Sequence, residues 1–108
     1  MAEKILPPKE PPKTGTELIA IERERQMSKE GWTAEHDDRH TKSELARVAA
    51  IYALPVEYRK LRYVEMWPVS WSWDWWKPTP RNRIKELTKA GALIAAEIDR
   101  LQRSKVNG

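Results

Sequence analysis

The chain has 108 residues, no Cys, no Phe, six Trp and a formal net charge of +4. That length makes one domain with one modest core, and the missing thiol excludes disulfides, zinc-thiolate sites and thiol catalysis. No stretch approaches the ~18 consecutive apolar residues a membrane span needs, and no apolar run near the start reads as a secretory signal, so a cytoplasmic protein without a membrane partner is expected.

Residues 1–15 carry four of the eight prolines between alternating Lys and Glu, the composition of a flexible N-terminal arm. A first helix is expected from Thr16, which can cap it, through Leu18, Ile19, Ile21, Arg25 and Met27 to a stop near Gly31. The polar stretch from Gly31 to Lys42 reads as a loop. A second helix follows, because Thr41-Lys42-Ser43-Glu44 matches a capping box and Leu45, Val48, Ala49 and Tyr52 recur at helical spacing. Pro55 ends it or starts the next helix at its first position, and a weaker pattern at Tyr58, Leu61 and Val64 suggests a short helix within Val56 to Met66.

Five of the six tryptophans then fall within ten residues, at Trp67, Trp71, Trp73, Trp75 and Trp76. Pro68, Ser70, Ser72 and Pro78 argue against a regular helix there. If the run is extended, Trp71, Trp73 and Trp75 share one side and Trp76 lies on the other. A last helix begins after Thr79 and Pro80. Ile84, Leu87, Gly91, Ile94, Ile98 and Leu101 follow a 3-4-3-4-3 spacing along it, a continuous seam that predicts a homo-oligomer formed through residues 84–101. Gly91 among alanines predicts a close helix crossing there. The expected fold is mainly α: a small bundle of three to four helices over 16–103, an irregular Trp-rich segment, a long C-terminal helix and a disordered tail at 104–108.

Two clusters carry candidate chemistry. Trp32, Glu35, His36, Asp37, Asp38 and His40 lie together, where Trp can stack on a ligand while Asp and His hydrogen-bond it, or where the acids simply order the loop through Asx turns. His36 and His40 have a metal-like spacing if helical, but a loop with no further His argues against a metal site, and no metal or cofactor is expected. In the second cluster Trp71, Trp73 and Trp76 are followed by Lys77, Arg81 and Arg83. The chain to Trp76 holds 12 Lys/Arg against 13 Asp/Glu, and from Lys77 onward 8 against 3, so the positive excess begins where the tryptophans end. Aromatic rings beside cations at a helix start suit a nucleotide's base and phosphate, although solvated surface charge and a Trp-built core explain the same residues. No phosphate-cradling loop or nucleophile context occurs, so catalytic residues are not expected and the protein reads as a non-enzyme.

Gly31-Trp32-Thr33, Glu35-His36-Asp37-Asp38, His40, Glu44-Leu45-Ala46, Trp76-Lys77-Pro78 and the stretch from Lys89 to Leu101 resemble a family of small proteins encoded by phages and prophages. Gly31-Trp32, Asp37-Asp38 and His40 also resemble the ryanodine-receptor repeat domain, with Thr41 to Leu45 standing in place of that domain's His-Pro-X-Leu-Val-Pro. The first likeness implies a protein acting in the host cytoplasm. The second implies recognition of a nucleotide-like ligand in conflict systems. Together with the residues, they lead to a non-catalytic protein that captures a nucleotide-like small molecule, such as a host defence signal. A module binding a host protein through exposed Trp is the alternative, and a nucleic-acid binder the third reading.

Overall fold

The computed structural model describes residues 11–59 and 63–107, and all regular structure within them is helical. Five α-helices are present: α1 (Gly15–Lys29), α2 (Ala34–Asp38), α3 (Glu44–Ala53), α4 (Tyr63–Met66) and α5 (Arg83–Asn107). Two single 3-10 turns, Val56–Tyr58 and Trp73–Trp75, complete the order. The expected mainly helical bundle with a long last helix is what forms. Most of the arm, residues 1–10, lies outside the described residues, as does Leu61 of the weak helical pattern.

Helix starts depart from the sequence reading in instructive ways. Thr14, not Thr16, caps α1: its hydroxyl accepts from the Glu17 amide at 3.2 Å while Glu17 Oε1 accepts from the Thr14 amide at 2.9 Å. This is a complete capping box, so Thr14→Ala is expected to remove about 1 kcal/mol of stability, seen as a melting point lowered by about 4–8 °C. The box expected at Thr41 to Glu44 does not form. Ser43 stands at the cap with φ 61°, and Glu44 Oε1 instead accepts from the Lys42 amide. The predicted Thr79–Pro80 start shifts as well, because Thr79 gives its amide to Glu86 Oε2 at 3.0 Å. Asn82 then takes over the helix start, its Oδ1 accepting from the Lys85 amide at 3.1 Å.

Gly31 follows the end of α1 with φ +72°, the left-handed conformation glycine adopts without strain. The segment after it is not the expected loop. Thr33 caps the short helix α2, which is pinned to α1 by an Arg23–Asp37 ion pair with Asp37 fully buried. Arg103 of α5 holds it from the other side, through Asp38 at 2.7 Å.

The core is built where α3 and α1 pack on α5. Leu45, Val48, Ile51 and Tyr52 meet Ala90, Leu93 and Ala96, with Trp67 and Trp71 closing one end. Of the seam read from α5, only Gly91 faces inward. The helix's alanine face packs inside, and Ile84, Leu87, Ile94, Ile98 and Leu101 point outward. Close approach of three helix backbones favours the small side chains over the large ones. The crossing expected at Gly91 is real, since a Cβ there would collide with the Ile19 side chain of α1. Residues 104–107, expected as disordered tail, continue α5 to Asn107.

The C-terminus of α3 is closed by an unusual clamp. Arg59 donates to Ile51 O and Tyr52 O, and Arg83 to Tyr52 O, Ala53 O and Leu54 O. Glu86, fully buried, binds both guanidinium groups at 2.9 and 2.7 Å. Cations at a helix C-terminus satisfy its free carbonyls and match its dipole. No helix among the described residues is long and apolar enough to cross a membrane.

Candidate functional site

A cavity of about 280 Å³ opens between α1, α3, α5 and the Trp-rich segment. Helix α1 contributes Glu22, Arg25, Gln26 and Glu30, one helical turn apart on a single face. The Schellman-like reversal at Gly31 brings Trp32 over the same opening, its amide bonding back to Gln26 O at 2.9 Å. His36 joins it from α2, with its ring stacked on Trp32 at 5.7 Å and nearly parallel. Tyr52 and Leu93 face the cavity from α3 and α5.

The Trp-rich segment closes the opposite wall with Trp75 and Lys77. Its path is fixed by hydrogen bonds rather than by regular structure. The Tyr52 hydroxyl accepts from the Lys77 amide at 3.0 Å, and Lys89 Nζ donates to Lys77 O at 3.1 Å. Ser72 accepts from the Asp74 amide and so starts the turn Trp73–Trp75. That turn defeats the expected extended alternation, because three residues per turn place Trp73 and Trp75 in different surroundings. Trp73 stacks on Trp67 at 5.0 Å, whereas Trp75 meets Trp71 edge-on at 5.2 Å and reaches the cavity.

Charge in the cavity is unequal. Arg25 alone binds both carboxylates, Glu22 at 2.7 Å and Glu30 at 2.8 Å. Lys77 and Lys89 carry no such partner among the salt bridges of the described residues, so three cations against two carboxylates leave one positive charge over. Burial holds the Lys89 ammonium below its ordinary pKa, and Lys85 adds to this against the pull of Glu22. The same ammonium lies 5.4 Å from the centre of the Tyr52 ring, a cation–π contact. Burial also pushes the Tyr52 hydroxyl up, so it stays a neutral donor and acceptor across the physiological range.

Of the residues singled out from the sequence, Trp32, His36 and Lys77 reach this cavity. Several others do structural work that the sequence reading had assigned to a ligand. Asp37 is consumed by Arg23, Asp38 by Arg103, and Arg83 by the α3 carbonyls and Glu86. Trp71 is buried in the core, donating from Nε1 to His40 Nδ1 at 3.4 Å. Burial and the neighbouring His36 lower the His40 pKa against the pull of Glu44, whose Oε2 lies 3.7 Å from Nδ1, and of Asp37. Trp76 packs on Tyr52 and under Arg59. Glu35 is exposed at the start of α2, its carboxyl lowered by its own amide and the Thr33 hydroxyl, and Arg81 is exposed in the turn before α5.

Tyr52, Trp75, Lys89, Gln26 and the Glu22–Arg25–Glu30 trio are cavity residues that sequence reasoning did not select. The i, i+4 pair Glu22 and Gln26 was visible as one face of α1, but nothing in the sequence joins it to a tryptophan fifty residues away. Among the described residues, no three His, Cys, Asp or Glu side chains are grouped to hold a metal ion. No family model, no curated protein and no solved structure matches this chain.

Proposed function

We propose that this cavity captures a nucleotide-like small molecule, a mononucleotide in size, without chemical turnover. The observation that carries the reading is the cavity's make-up: Trp32, Tyr52 and Trp75 as aromatic walls beside Lys77 and Lys89. A nucleobase between such rings gains about 1–3 kcal/mol from stacking, and the two ammonium groups suit one phosphate. Of the cations expected at the phosphate Lys77 remains, and Lys89 takes the place of Arg81 and Arg83. At 280 Å³ the space lies at the small end of ligand pockets, and a single surplus charge matches a monophosphate better than a triphosphate. The phage and prophage likeness supports a capture protein that lowers a host signal's free concentration in the cytoplasm.

The test is a titration of intrinsic Trp fluorescence with adenosine, guanosine and uridine monophosphates, repeated by calorimetry. Saturable quenching with moderate salt dependence is expected. Lys89→Ala should weaken binding about tenfold or more, the equivalent of ~1.4 kcal/mol, with an unchanged circular dichroism spectrum. Absence of both quenching and heat for all three nucleotides would reject the reading.

A second reading rests on the outer side of the Trp-rich segment, which shares Trp75 with the cavity. Val69, Trp73 and Trp75 are all prominently exposed on the Trp-rich segment, and Trp is enriched among the residues that dominate protein interfaces. A host protein retained by the wild type and released by Trp73→Ala, with nucleotides ignored, favours this reading over the first.

A further inference from the structure

The outward face of α5 is independent of the cavity. Ile84, Leu87, Ile94, Ile98 and Leu101 are between 47 and 68 % exposed and form a stripe along one side of the helix. Large aliphatic side chains are normally scattered singly on a surface; here five align over five helical turns. The remaining exposed charges of this stretch, Lys85 and Asp99, fall on other faces of the helix. A groove of about 270 Å³ adjoins one end of the stripe, where Leu18 and Ile21 of α1 meet Ile84 and Thr88, with Glu22, Asn82 and Lys85 also on its walls.

From this geometry we infer that a second copy of the same chain covers the stripe, with the two α5 helices antiparallel. The pattern is self-complementary under a two-fold axis near residues 92 and 93. Leu87 of one copy falls opposite Ile98 of the other, and the two Ile94 side chains flank the axis, Gly91 being covered by Ile19 of α1. Leu101 falls at Ile84, where the groove beside Leu18 and Ile21 gives an apolar end chain a seat. Each contact occurs twice, as an isologous interface requires, and the stripe itself carries no charged side chain between Ile84 and Leu101. Complete coverage of these five half-exposed side chains on both copies would bury at most about 1,000 Å², the size at which specific interfaces begin. An interface of that size is well below the roughly 2,000 Å² or more of obligate dimers.

Sedimentation velocity from low micromolar to a few hundred micromolar should show a monomer–dimer equilibrium for the full chain. Ile94→Glu/Ile98→Glu should leave a monomer throughout with an unchanged circular dichroism spectrum. Orientation is read by crosslinking, which the cysteine-free sequence makes clean. A mixture of Leu87→Cys and Ile98→Cys chains should form the mixed disulfide on mild oxidation, while neither variant alone crosslinks. In the antiparallel pair, like positions lie about 16 Å apart along the axis, beyond disulfide reach. Self-crosslinking of either variant alone, or a dimer that survives the double glutamate change, overturns the proposal. So does a wild type that stays monomeric, including one whose stripe binds anionic vesicles instead.

Discussion

Glu86→Ala is expected to remove about 3–5 kcal/mol of folding stability, because it leaves two buried or half-buried guanidinium groups without their shared counter-charge. Arg59 and Arg83 converge on the last carbonyls of α3, and Glu86 binds both from a fully buried position. Without the carboxylate the nearly buried Arg59 and the half-buried Arg83 are left as unpaired like charges, and the Thr79 amide loses its acceptor as well. Since small domains hold only about 5–15 kcal/mol in total, urea denaturation should show a variant near the edge of folding. Glu86→Gln keeps the shape and one acceptor oxygen, and should fall between it and the wild type.

The same clamp sets an acid limit. Burial works to raise the Glu86 pKa, but the bonds from Arg59 and Arg83 outweigh it and hold the carboxyl below its ordinary value. A depressed folded-state pKa means stabilisation that is complete above the unfolded value near 4.3 and lost as pH falls through the folded value. Denaturation curves at neutral pH and near pH 3 should therefore differ more for the wild type than for Glu86→Gln, which has no proton to take up. An equal acid sensitivity in both would place the effect on other carboxylates, such as Glu30, whose pKa Arg25 also lowers.

Local pattern revealed the helices and little of how they meet. Gly31, the apolar spacing of α3 and the small residues around Gly91 each state a backbone demand that holds wherever the helix docks, so they were readable in one dimension. The face of α5 that turns inward was not. Ile and Leu at 3-4 spacing outweigh Ala on any hydrophobicity reading, yet it is the alanine side that packs on α3 and Gly91 that lets α1 approach closely. The candidate site suffers from the same blindness. Asp37 and Arg83 look like ligand groups until Arg23 and the α3 carbonyls are seen to bind them. Lys89 looks like a solvated helix charge until its ammonium is seen over Tyr52 and at the Lys77 carbonyl. Long-range polar partners, not propensity, decide which charged residues remain available to a ligand.

Trp71→Ala tests whether the tryptophan segment is core and cavity wall together. The indole is almost fully buried, packs edge-on against Trp67 and Trp75, and lies tilted against Trp32 at 6.4 Å. Truncating a buried aromatic of this size costs about 3–5 kcal/mol, and here it also removes the donor to His40 Nδ1. Trp73→Ala, by contrast, deletes a half-exposed ring stacked on Trp67 and should cost no more than about 1–2 kcal/mol. The comparison extends to binding. Trp75 reaches the cavity from its contact with Trp71, so a Trp71→Ala protein, kept folded at low temperature, should bind a mononucleotide less tightly although Trp71 does not line the space. Thermal melts and nucleotide titrations on the same samples separate the two effects. Lost stability with undiminished affinity would mean that Trp75 holds its place through the Ser72 turn and the Lys77–Tyr52 bond alone.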